Sequence, residues 1–315
     1  MTRTLLVTTG NGMFGRALIE QLLDDDQVQI RAMVRDRAAF TLSAPNLEVV
    51  EADMDKPQTL VAPVTGASHI FLTSPMDDHI AAREKAVIDA ARAAGTPHII
   101  DISGAVQHHG DALSRQHEEA IDHLKASGLP WTLVSPNSVM ETSLNSFADM
   151  IPMGVWLGMS GHGKIGMVAL SDVARVLATV VTTDGHDGMD YKCTGPEALD
   201  MPQVVAQFSE VLHRSIEYCD LPEDEFAGLM LKHAGFTDRE TLDVQVLCHL
   251  RAWRAGGADL VTDTVAQVTG SPALPLREWI QQNRDRFSAH PSLGDRLAGV
   301  ALRAQYHRYR MDPTD

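Results

Sequence analysis

Short apolar runs alternate with amphipathic stretches through the first half of the chain. Six runs rich in apolar and β-branched residues predict strands, at 4–9, 28–36, 46–54, 69–75, 98–104 and 131–136. Apolar residues at helical spacing between these runs predict helices, at 14–25, 81–95 and 114–128. Strands that are apolar almost throughout and alternate with helices are typical of a parallel sheet covered on both faces. The pattern therefore predicts an α/β fold with a Rossmann-type, doubly wound parallel sheet.

The alternation loosens after Pro136, and the predicted elements become mainly helical. Helices are predicted at 171–183, 201–214 and 222–235, with strands at 189–195 and 215–221. An amphipathic stretch at 292–310, after Pro291, predicts either a docking helix or a frayed tail. We predict three regions: a dinucleotide-binding domain at 1–150 to which 165–195 returns, a smaller, mostly helical substrate-binding cap at 196–288, and a C-terminal helical tail at 289–315.

Three glycines stand within six positions between the first strand and the first helix. The run Gly10-Asn11-Gly12-Met13-Phe14-Gly15 fits the pattern GxGxxG. In this place the pattern predicts a dinucleotide site: Gly10 allows a tight turn, Gly12 allows the backbone to approach a pyrophosphate, and Gly15 allows the helix to pack close to the strand. The first N–H groups of the helix would face the phosphates. The alternative is a tight strand–helix turn without a ligand.

The end of the second strand bears on the choice of dinucleotide. An NAD site usually has Asp or Glu about 20 residues after the glycines, where it binds the ribose 2′-hydroxyl. That place holds Arg35, with Arg31 and Arg37 beside it. A guanidinium fits a 2′-phosphate and offers no acceptor to a hydroxyl, so the sequence favours NADPH. Two alternatives stay open: Asp36 could turn toward the ribose, or Arg35 could be an exposed charge at a strand end.

The amino-acid composition limits the classes of molecule that the protein is expected to bind. Lys and Arg number 26 against 42 Asp and Glu, which gives a net charge of -16. Such a surface repels nucleic acid and anionic membranes, so we expect a small-molecule partner instead. The 3 cysteines lie far apart without metal-ligand spacing, which indicates buried thiols in a reducing compartment. No apolar run reaches membrane-spanning length, and residues 1–8 form a strand rather than a signal peptide, so we expect a cytoplasmic protein.

The chain resembles the NmrA-like proteins, a family of atypical short-chain dehydrogenases/reductases. The resemblance covers about residues 3–288 and is carried by the glycine turn and by the segments VRD, ADMDKP, HEEAIDHLKASGLPWTLVSPNSVMET, SDVAR, YKCTGPEAL and VTDTVAQVTG, in that order. The family includes NADPH:quinone reductases, triphenylmethane-type reductases and catalytically silent redox sensors. Its first loop usually reads TGATGxxG, whereas Thr9 holds the first glycine position here and Gly10 follows one residue later. We expect an altered loop geometry rather than lost binding.

The resemblance also implies where the cofactor lies, at the carboxyl ends of the strands. Asp53 and Met54 should lie along the adenine, and Pro136 and Asn137 should border the nicotinamide ring. The run Thr73-Ser74-Pro75 should line the nicotinamide side. These places agree with the edge at which an open α/β sheet binds ligands.

The catalytic residues of ordinary short-chain dehydrogenases are only partly present. Ser103 ends the fifth predicted strand, where the catalytic Ser belongs, but the Tyr and Lys positions fall on Leu113 and His117. Without the Tyr, the chain lacks the usual acid for alcohol–ketone chemistry. His117 could hold the nicotinamide ribose, carry a proton, or simply pack on its helix.

Two further groups of residues are candidates for contacts with a substrate. His108 or His109, in the loop after Ser103, could donate a proton, and a zinc site on this pair is disfavoured because no Cys or carboxylate stands at metal spacing. Six large apolar residues could form a wall for a flat ligand, or simply the core of the cap: Met140, Phe147, Met150, Met153, Trp156 and Met159. We predict substrate contacts for His108 and Met140, and no metal.

Together these features predict an NADPH-dependent reductase of a quinone-like or other conjugated small molecule. Such an acceptor takes a hydride without needing the Tyr, because orientation and exclusion of water supply much of the catalysis. The alternative is a non-catalytic NADP(H) sensor that binds a protein partner. An isomerase or imine reductase would differ only in its substrate. A homodimer is possible.

Overall fold

The computed structural model describes residues 2–104, 112–145 and 147–314. The strands among these residues are β1 (Arg3–Val7), β2 (Val28–Val34), β3 (Leu47–Glu51), β4 (His69–Leu72), β5 (His98–Ile102), β6 (Trp131–Pro136), β7 (Ser138–Val139), β8 (Val155–Gly158), β9 (Met167–Val168), β10 (Met189–Cys193), β11 (Glu217–Asp220) and β12 (Arg310–Met311).

The described α-helices are α1 (Met13–Leu22), α2 (Val61–Val64), α3 (Ile80–Ala94), α4 (Ala112–Ala126), α5 (Met140–Asn145), α6 (Leu170–Thr182), α7 (Met201–Leu212), α8 (Glu223–His233), α9 (Arg239–Leu242), α10 (Cys248–Arg254), α11 (Thr264–Thr269), α12 (Leu276–Gln282), α13 (Arg284–Phe287) and α14 (Leu293–Tyr306). A π-helical turn at Asp243–Leu247 joins α9 to α10. None of these described helices combines the length and apolarity needed to cross a membrane.

Seven parallel strands form the central sheet, in the order β3-β2-β1-β4-β5-β6-β10. The six strands predicted in the first half and the one predicted at 189–195 therefore form one sheet, and the doubly wound α/β class is confirmed. Strand order runs outward from β1 to β3 on one side and from β4 to β10 on the other. The carboxyl ends of β1 and β4 consequently flank the place where the order reverses, which is where sheets of this type bind ligands.

Helices cover both faces of the sheet. On one face, Val7 and Phe71 are buried with Leu18 of α1 and Val176 of α6 in one apolar cluster. On the opposite face, Leu6 and Ile70 are buried with helices α3 and α4 in a second apolar cluster. Since both faces of each strand are covered, the strands are apolar nearly throughout.

A third apolar cluster lies outside the sheet and forms the core of the C-terminal half. It begins at Met140 and includes Trp156, Phe208, Trp279 and Tyr306. Part of it is a small sheet in which β11 pairs with β8 and β12. The sequence analysis predicted no strand at β8, because a four-residue strand ending on glycine has too few positions to show alternation.

The C-terminal helix α14 docks on this third cluster. Gly299 sits so close to the Met153 carbonyl that an added Cβ would lie 2.0 Å from the oxygen. Arg303 donates to the same carbonyl at 3.0 Å, and Tyr306 is buried. Of the two alternatives predicted for this stretch, the docking helix is correct. The outer side of α14 carries Leu293 and Leu297, which are exposed.

Candidate active site

The carboxyl edge of the sheet is built around the crevice between β1 and β4. Hydrogen bonds between two threonines join the loops that leave these strands. The Thr8 hydroxyl donates to the Thr73 carbonyl at 2.8 Å, and the Thr73 N–H donates to the Thr8 hydroxyl at 3.1 Å. Thr8 is buried. The predicted glycine turn and the predicted nicotinamide-side residues therefore face each other across this crevice.

The three glycines of the turn are required by lack of space. None of them has the left-handed φ that would demand glycine. A Cβ on Gly15 would lie 2.2 Å from the Thr9 carbonyl oxygen, and one on Gly10 would lie 3.1 Å from the Cβ of Ala32. The expected role of Gly15 in close helix packing agrees with this geometry. Gly10 differs from expectation, since it makes room for strand β2 rather than for an unusual turn.

The amino end of α1 is free to bind an anion. Gly12 is its N-cap residue and provides no side-chain cap for the first N–H groups. Asn11 is exposed, and Met13 and Phe14 are half-buried beside it. Uncapped N–H groups and the positive end of the helix dipole suit a pyrophosphate. The glycine turn as folded thus fits a dinucleotide.

The three arginines near the end of β2 have different surroundings. Arg31 donates to the carbonyls of Pro63 and Thr65, at 3.1 and 2.6 Å, and Arg37 donates to the carbonyl of Val49 at 2.6 Å. Arg35 is exposed and makes no hydrogen bond or ion pair with any residue that the structure describes. Its guanidinium is therefore available to a ligand, whereas the other two are held by backbone.

Asp36, the alternative ribose ligand, takes part in a local turn. Its carboxylate accepts from the Ala38 N–H at 2.9 Å and caps the short helix that starts at Arg37. This bond fixes one carboxylate oxygen within its own loop. The geometry favours the guanidinium of Arg35 over the carboxylate of Asp36 as the group that reaches a ribose substituent.

Asp53 and Met54 follow β3 and differ in exposure. Met54 is buried in the second apolar cluster, so mainly its backbone is available at this edge. Asp53 accepts from the Asp55 N–H at 3.1 Å and pairs with Lys56 at 3.1 Å, and these contacts lower its pKa. Arg83 then joins this loop to the one after β4, through ion pairs to Asp55 at 2.7 Å and to Asp77 at 2.8 Å. The two loops expected to lie along the dinucleotide are thus held together.

Ser103, the predicted catalytic serine, is buried at the end of a hydrogen-bonded chain. Its Oγ lies 2.7 Å from the Ser135 Oγ, and the Ser135 hydroxyl donates to Asp190 at 2.8 Å. Because Ser135 has one hydroxyl proton and gives it to Asp190, the proton between the two serines comes from Ser103. Ser103 therefore donates away from the ligand edge and offers a substrate only an acceptor.

The positions of the usual Tyr and Lys lie on α4. Leu113 is buried, with 6% of its surface exposed, and His117 is half-buried one turn later. All 4 tyrosines of the chain lie elsewhere: Tyr191 contacts His186, Tyr218 contacts Ser160, and Tyr306 and Tyr309 belong to the C-terminal tail. No phenol therefore stands in for the missing one. His108 and His109 lie outside the residues that the structure describes.

The residues that follow β6 contact the third apolar cluster and the segments beside it. The Asn137 amide donates to the carbonyls of Gly166 and Ala258, at 3.2 and 2.9 Å, while its buried Oδ1 lacks a partner among the described residues. Pro136 is buried beside it. Met140 has 1% of its surface exposed and lines a narrow crevice with Ile165, Met167 and Pro196. Met140 therefore belongs to the apolar core and also lines this crevice. Most of the other five large apolar residues that could have formed a wall for a flat ligand belong to the core alone.

Two buried carboxyl groups were missed by the sequence reasoning. Glu84 of α3 and Asp101 of β5 have 1% and 2% of their surface exposed. Burial raises the pKa of Glu84 to about 7, although a hydrogen bond from Ser74 opposes the shift. Burial and the neighbouring Glu84 charge raise the pKa of Asp101 well above its usual range. An Asp among the isoleucines of strand HIIDI was the signal in the sequence.

Comparison with known proteins supports the interpretation of this edge. The family model described as NAD(P)H-binding matches residues 10–184, which is more than half of the chain. The chain is 30% identical over 293 residues to the (4-alkanoyl-5-oxo-2,5-dihydrofuran-3-yl)methyl phosphate reductase of Streptomyces griseus, covering 90% of this chain and 99% of the relative. It is 28% identical over 293 residues to the NAD(P)H azoreductase of Xenophilus azovorans, with the same coverage.

A third relative is similar in both sequence and structure. Quinone oxidoreductase 2 of Escherichia coli is 29% identical over 281 residues, covering 87% of this chain and 96% of the relative. The crystal structure of the Escherichia coli NADPH-dependent enzyme complexed with NADPH superposes with a TM-score of 0.81 at 26% identity, covering 89% of this chain and 99% of that one. The predicted family resemblance, nicotinamide dinucleotide and oxidoreductase class are confirmed. The chain belongs to the NAD(P)H-binding family and is an NAD(P)H-dependent oxidoreductase.

Proposed function

We propose that the chain is an NADPH-dependent reductase of conjugated small molecules, with quinones, azo compounds and related dyes as the substrate class. Three of its relatives are named as a furanone phosphate reductase, an azoreductase and a quinone oxidoreductase. Their named substrates all contain conjugated double bonds. A conjugated acceptor spreads the incoming electron pair, so it needs less help from an acid on the protein.

The observation that carries this proposal is the missing phenol at the ligand edge. Leu113, at the position that the resemblance assigns to the acid, is buried, and the Ser103 proton is directed toward Ser135. An unactivated ketone would form an alkoxide that neither residue can protonate. We therefore expect the chain to reduce activated acceptors and to reduce simple ketones poorly.

Arg35 supports NADPH as the preferred dinucleotide. It is the arginine near the end of β2 whose guanidinium is not held by a backbone carbonyl, and it is exposed. A guanidinium binds a phosphate by charge and by paired hydrogen bonds, whereas it offers no acceptor to a ribose hydroxyl. In this proposal Arg35 binds the 2′-phosphate and the amino end of α1 binds the pyrophosphate.

The remaining residues of the edge orient the cofactor and the acceptor. When bound, the nicotinamide supplies a hydride. Ser74 and Pro75 line its side of the crevice, Pro136 and Asn137 border it from β6, and His117 orients the ribose or moves a proton. Holding the reacting groups in register and excluding water contribute most of the rate in such a site.

The test is anaerobic NADPH oxidation against quinones, azo dyes, enones, imines and an unactivated ketone. We expect turnover with at least one activated class and little or none with the ketone. Efficient reduction of the ketone would contradict the proposal, because an acid that assists the hydride transfer itself would then have to exist. Tight NADPH binding measured by calorimetry, without turnover of any acceptor, would instead favour the non-catalytic sensor.

A further inference from the structure

The carboxyl pair of Glu84 and Asp101 is placed next to the ligand edge. The Oε1 of Glu84 lies 2.8 Å from the hydroxyl of Ser74, and Ser74 is half-buried in the loop that leaves β4. Asp101 lies on the neighbouring strand β5, two residues before Ser103. The other oxygen of Glu84 and the Oδ1 of Asp101 are buried and lack hydrogen-bond partners among the described residues.

Two buried carboxylates without a cation cannot both keep their charge, so the pair holds a proton near neutral pH. Neighbouring cations on α3 are engaged elsewhere: Arg83 pairs with Asp55 and Asp77, and Lys85 pairs with Glu119 of α4. The half-buried titratable groups of α4 are His117 and His123, and His123 pairs with Asp89. On β6, which neighbours β5, Ser135 is bonded to Ser103 and Asp190, and Thr132 to His98 and the His186 carbonyl.

We propose that Glu84 and Asp101 store the proton that reduction of a quinone-type acceptor consumes, and that the Ser74 hydroxyl passes it to the acceptor. This inference rests on the proposed function. Neither carboxyl touches the cofactor or the substrate, so both act through Ser74. Ser103 does not have this role, because its hydrogen-bonded chain ends on Asp190, an exposed carboxylate that pairs with Lys192 at 3.5 Å, rather than on a buried carboxyl. In this role the pair protonates an anion that conjugation has already stabilised, and it does not replace the phenol in assisting hydride transfer to an unactivated ketone.

The transfer balances in protons and electrons. A quinone that gains a hydride becomes a hydroquinone anion, and its oxygen takes one proton to complete the reduction. In the proposed step the Ser74 O–H bond breaks as that proton moves to the acceptor oxygen. At the same time the carboxyl O–H bond of Glu84 breaks and its proton moves to the Ser74 oxygen. The carboxylate left behind is shared with Asp101 and is protonated again from solvent along the same hydroxyl.

A pair of acceptors with different proton demand gives a direct test. A neutral quinone consumes a hydride and a proton, whereas a triarylmethane dye cation takes the hydride on carbon and consumes no proton. Glu84→Gln and Asp101→Asn keep the shape of each side chain but remove the stored proton. We expect Glu84→Gln to lower kcat for the quinone by about tenfold to a hundredfold while kcat for the dye stays unchanged.

The pH dependence of kcat distinguishes a proton-storing role of the pair from a packing role. For the wild type, kcat for the quinone should fall as pH rises above neutrality, because the pair then loses its proton, while kcat for the dye stays flat. Glu84→Gln should remove that fall. The control is Asp89→Asn on the same helix, which removes a surface carboxylate paired with His123 and should change neither profile.

Infrared spectroscopy tests the stored proton without turnover. The wild type at neutral pH should show the carbonyl band of a buried protonated carboxyl, and each single variant should lose it or shift it. Equal losses of quinone and dye activity would overturn the proposal and leave the pair a packing role. Unchanged quinone kinetics in both variants would overturn it as well. If the wild type reduces neither acceptor, the proposed function itself fails, and the infrared band then reports on the pair alone.

Discussion

At the scale of single residues, the binding properties of the ligand edge depend on which of its polar side chains already have hydrogen-bond partners within the protein. Arg31 and Arg37 bind backbone carbonyls and Asp36 caps a turn, whereas Arg35 makes no hydrogen bond with a described residue, which is why we propose it for the 2′-phosphate. Ser103 looks like a catalytic residue by its place in the strand, yet its proton belongs to the chain that ends on Asp190. The chemistry at this edge therefore depends on hydrogen-bond partners more than on residue types.

Replacing Arg35 should change the choice of dinucleotide. Arg35→Gln should weaken NADPH binding by about tenfold, or ~1.4 kcal/mol, and leave NADH binding unchanged, because only the 2′-phosphate contact is lost. Calorimetric titration of both dinucleotides measures this difference. The matched control is Arg37→Gln, which removes a bond to the Val49 carbonyl and should leave the preference intact. Equal affinities of the wild type for NADPH and NADH would show that Arg35 does not reach the ribose.

At the scale of elements, the unit that matters is β1, its glycine turn and α1. The turn brings the helix so close to the strand that Gly15 has no room for a side chain, while an added Cβ on Gly12, the N-cap residue, would lie 3.0 Å from the Thr9 Oγ1. Gly15 is therefore restricted by backbone, whereas Gly12 is crowded less severely and stands at the amino end of the helix.

Substitutions at these two glycines should change stability and NADPH binding to different degrees. Gly15→Ala should lower the free energy of unfolding by about 1–3 kcal/mol, because its Cβ would lie 2.2 Å from the Thr9 carbonyl and α1 must shift. Gly12→Val should cost less stability than Gly15→Ala, because its Cβ would lie 3.0 Å from the Thr9 Oγ1, and it should lose NADPH binding, since the branched side chain crowds the amino end of α1 where the pyrophosphate approaches. Denaturant unfolding and calorimetry measure the two effects.

A glycine in open space provides the control for these variants. Gly228 of α8 has no atom within 4 Å of an added Cβ, so Gly228→Ala should stabilise the helix slightly and leave binding unchanged. NADPH affinity retained in Gly12→Val would contradict the dinucleotide interpretation of the turn. Unchanged stability in Gly15→Ala would show that α1 is less tightly held than its geometry indicates.

At the scale of the whole molecule, buried titratable groups act on stability in opposite directions. His69 and His98 stack at the amino edge of the sheet, with ring centroids 5.7 Å apart. Burial, with Arg3 and His98 nearby, lowers the pKa of His69 to about 4, and burial also lowers the pKa of His98. Glu84 and Asp101 lie at the opposite edge of the sheet, and their pKa values are raised.

The sign of each contribution follows from which state binds more protons. For His69 the unfolded chain binds the proton more readily, so its stabilising contribution is complete above about pH 6.5 and is lost as pH falls toward 4. For Glu84 the folded state binds the proton more readily, so its contribution is present at low pH and is lost as pH rises through about 7.

Replacing His69 should therefore flatten the acid side of the stability profile. Between pH 7 and pH 5, wild type should lose roughly 1 kcal/mol more than His69→Gln, after allowance for screening at a half-buried site. Urea unfolding at each pH gives the difference, and the exposed His290→Gln is the control. Parallel profiles for wild type and His69→Gln would show that the His69 ring titrates as freely in the folded chain as in the unfolded one.

The sequence by itself determined the sheet, the glycine turn and the kind of ligand they bind. Apolar periodicity is local and repeats along each strand, so residues 4–9 and 28–36 predict β1 and β2 to within about two residues. GxGxxG after a strand is equally local. The small strand β8 was missed because its partner β11 lies about sixty residues later, and such pairing leaves no mark on either short segment.

The charge, proton position and availability of the polar residues at the ligand edge were determined only by the tertiary structure. It separated Arg35 from Arg31 and Arg37, turned the proton of Ser103 toward Ser135, and buried Asp101 beside Glu84. A residue's charge, proton and availability depend on neighbours that come from distant parts of the chain. Sequence patterns record which side chains are present, whereas burial and hydrogen-bond partners, which set their chemistry, exist only once the strands and helices have packed.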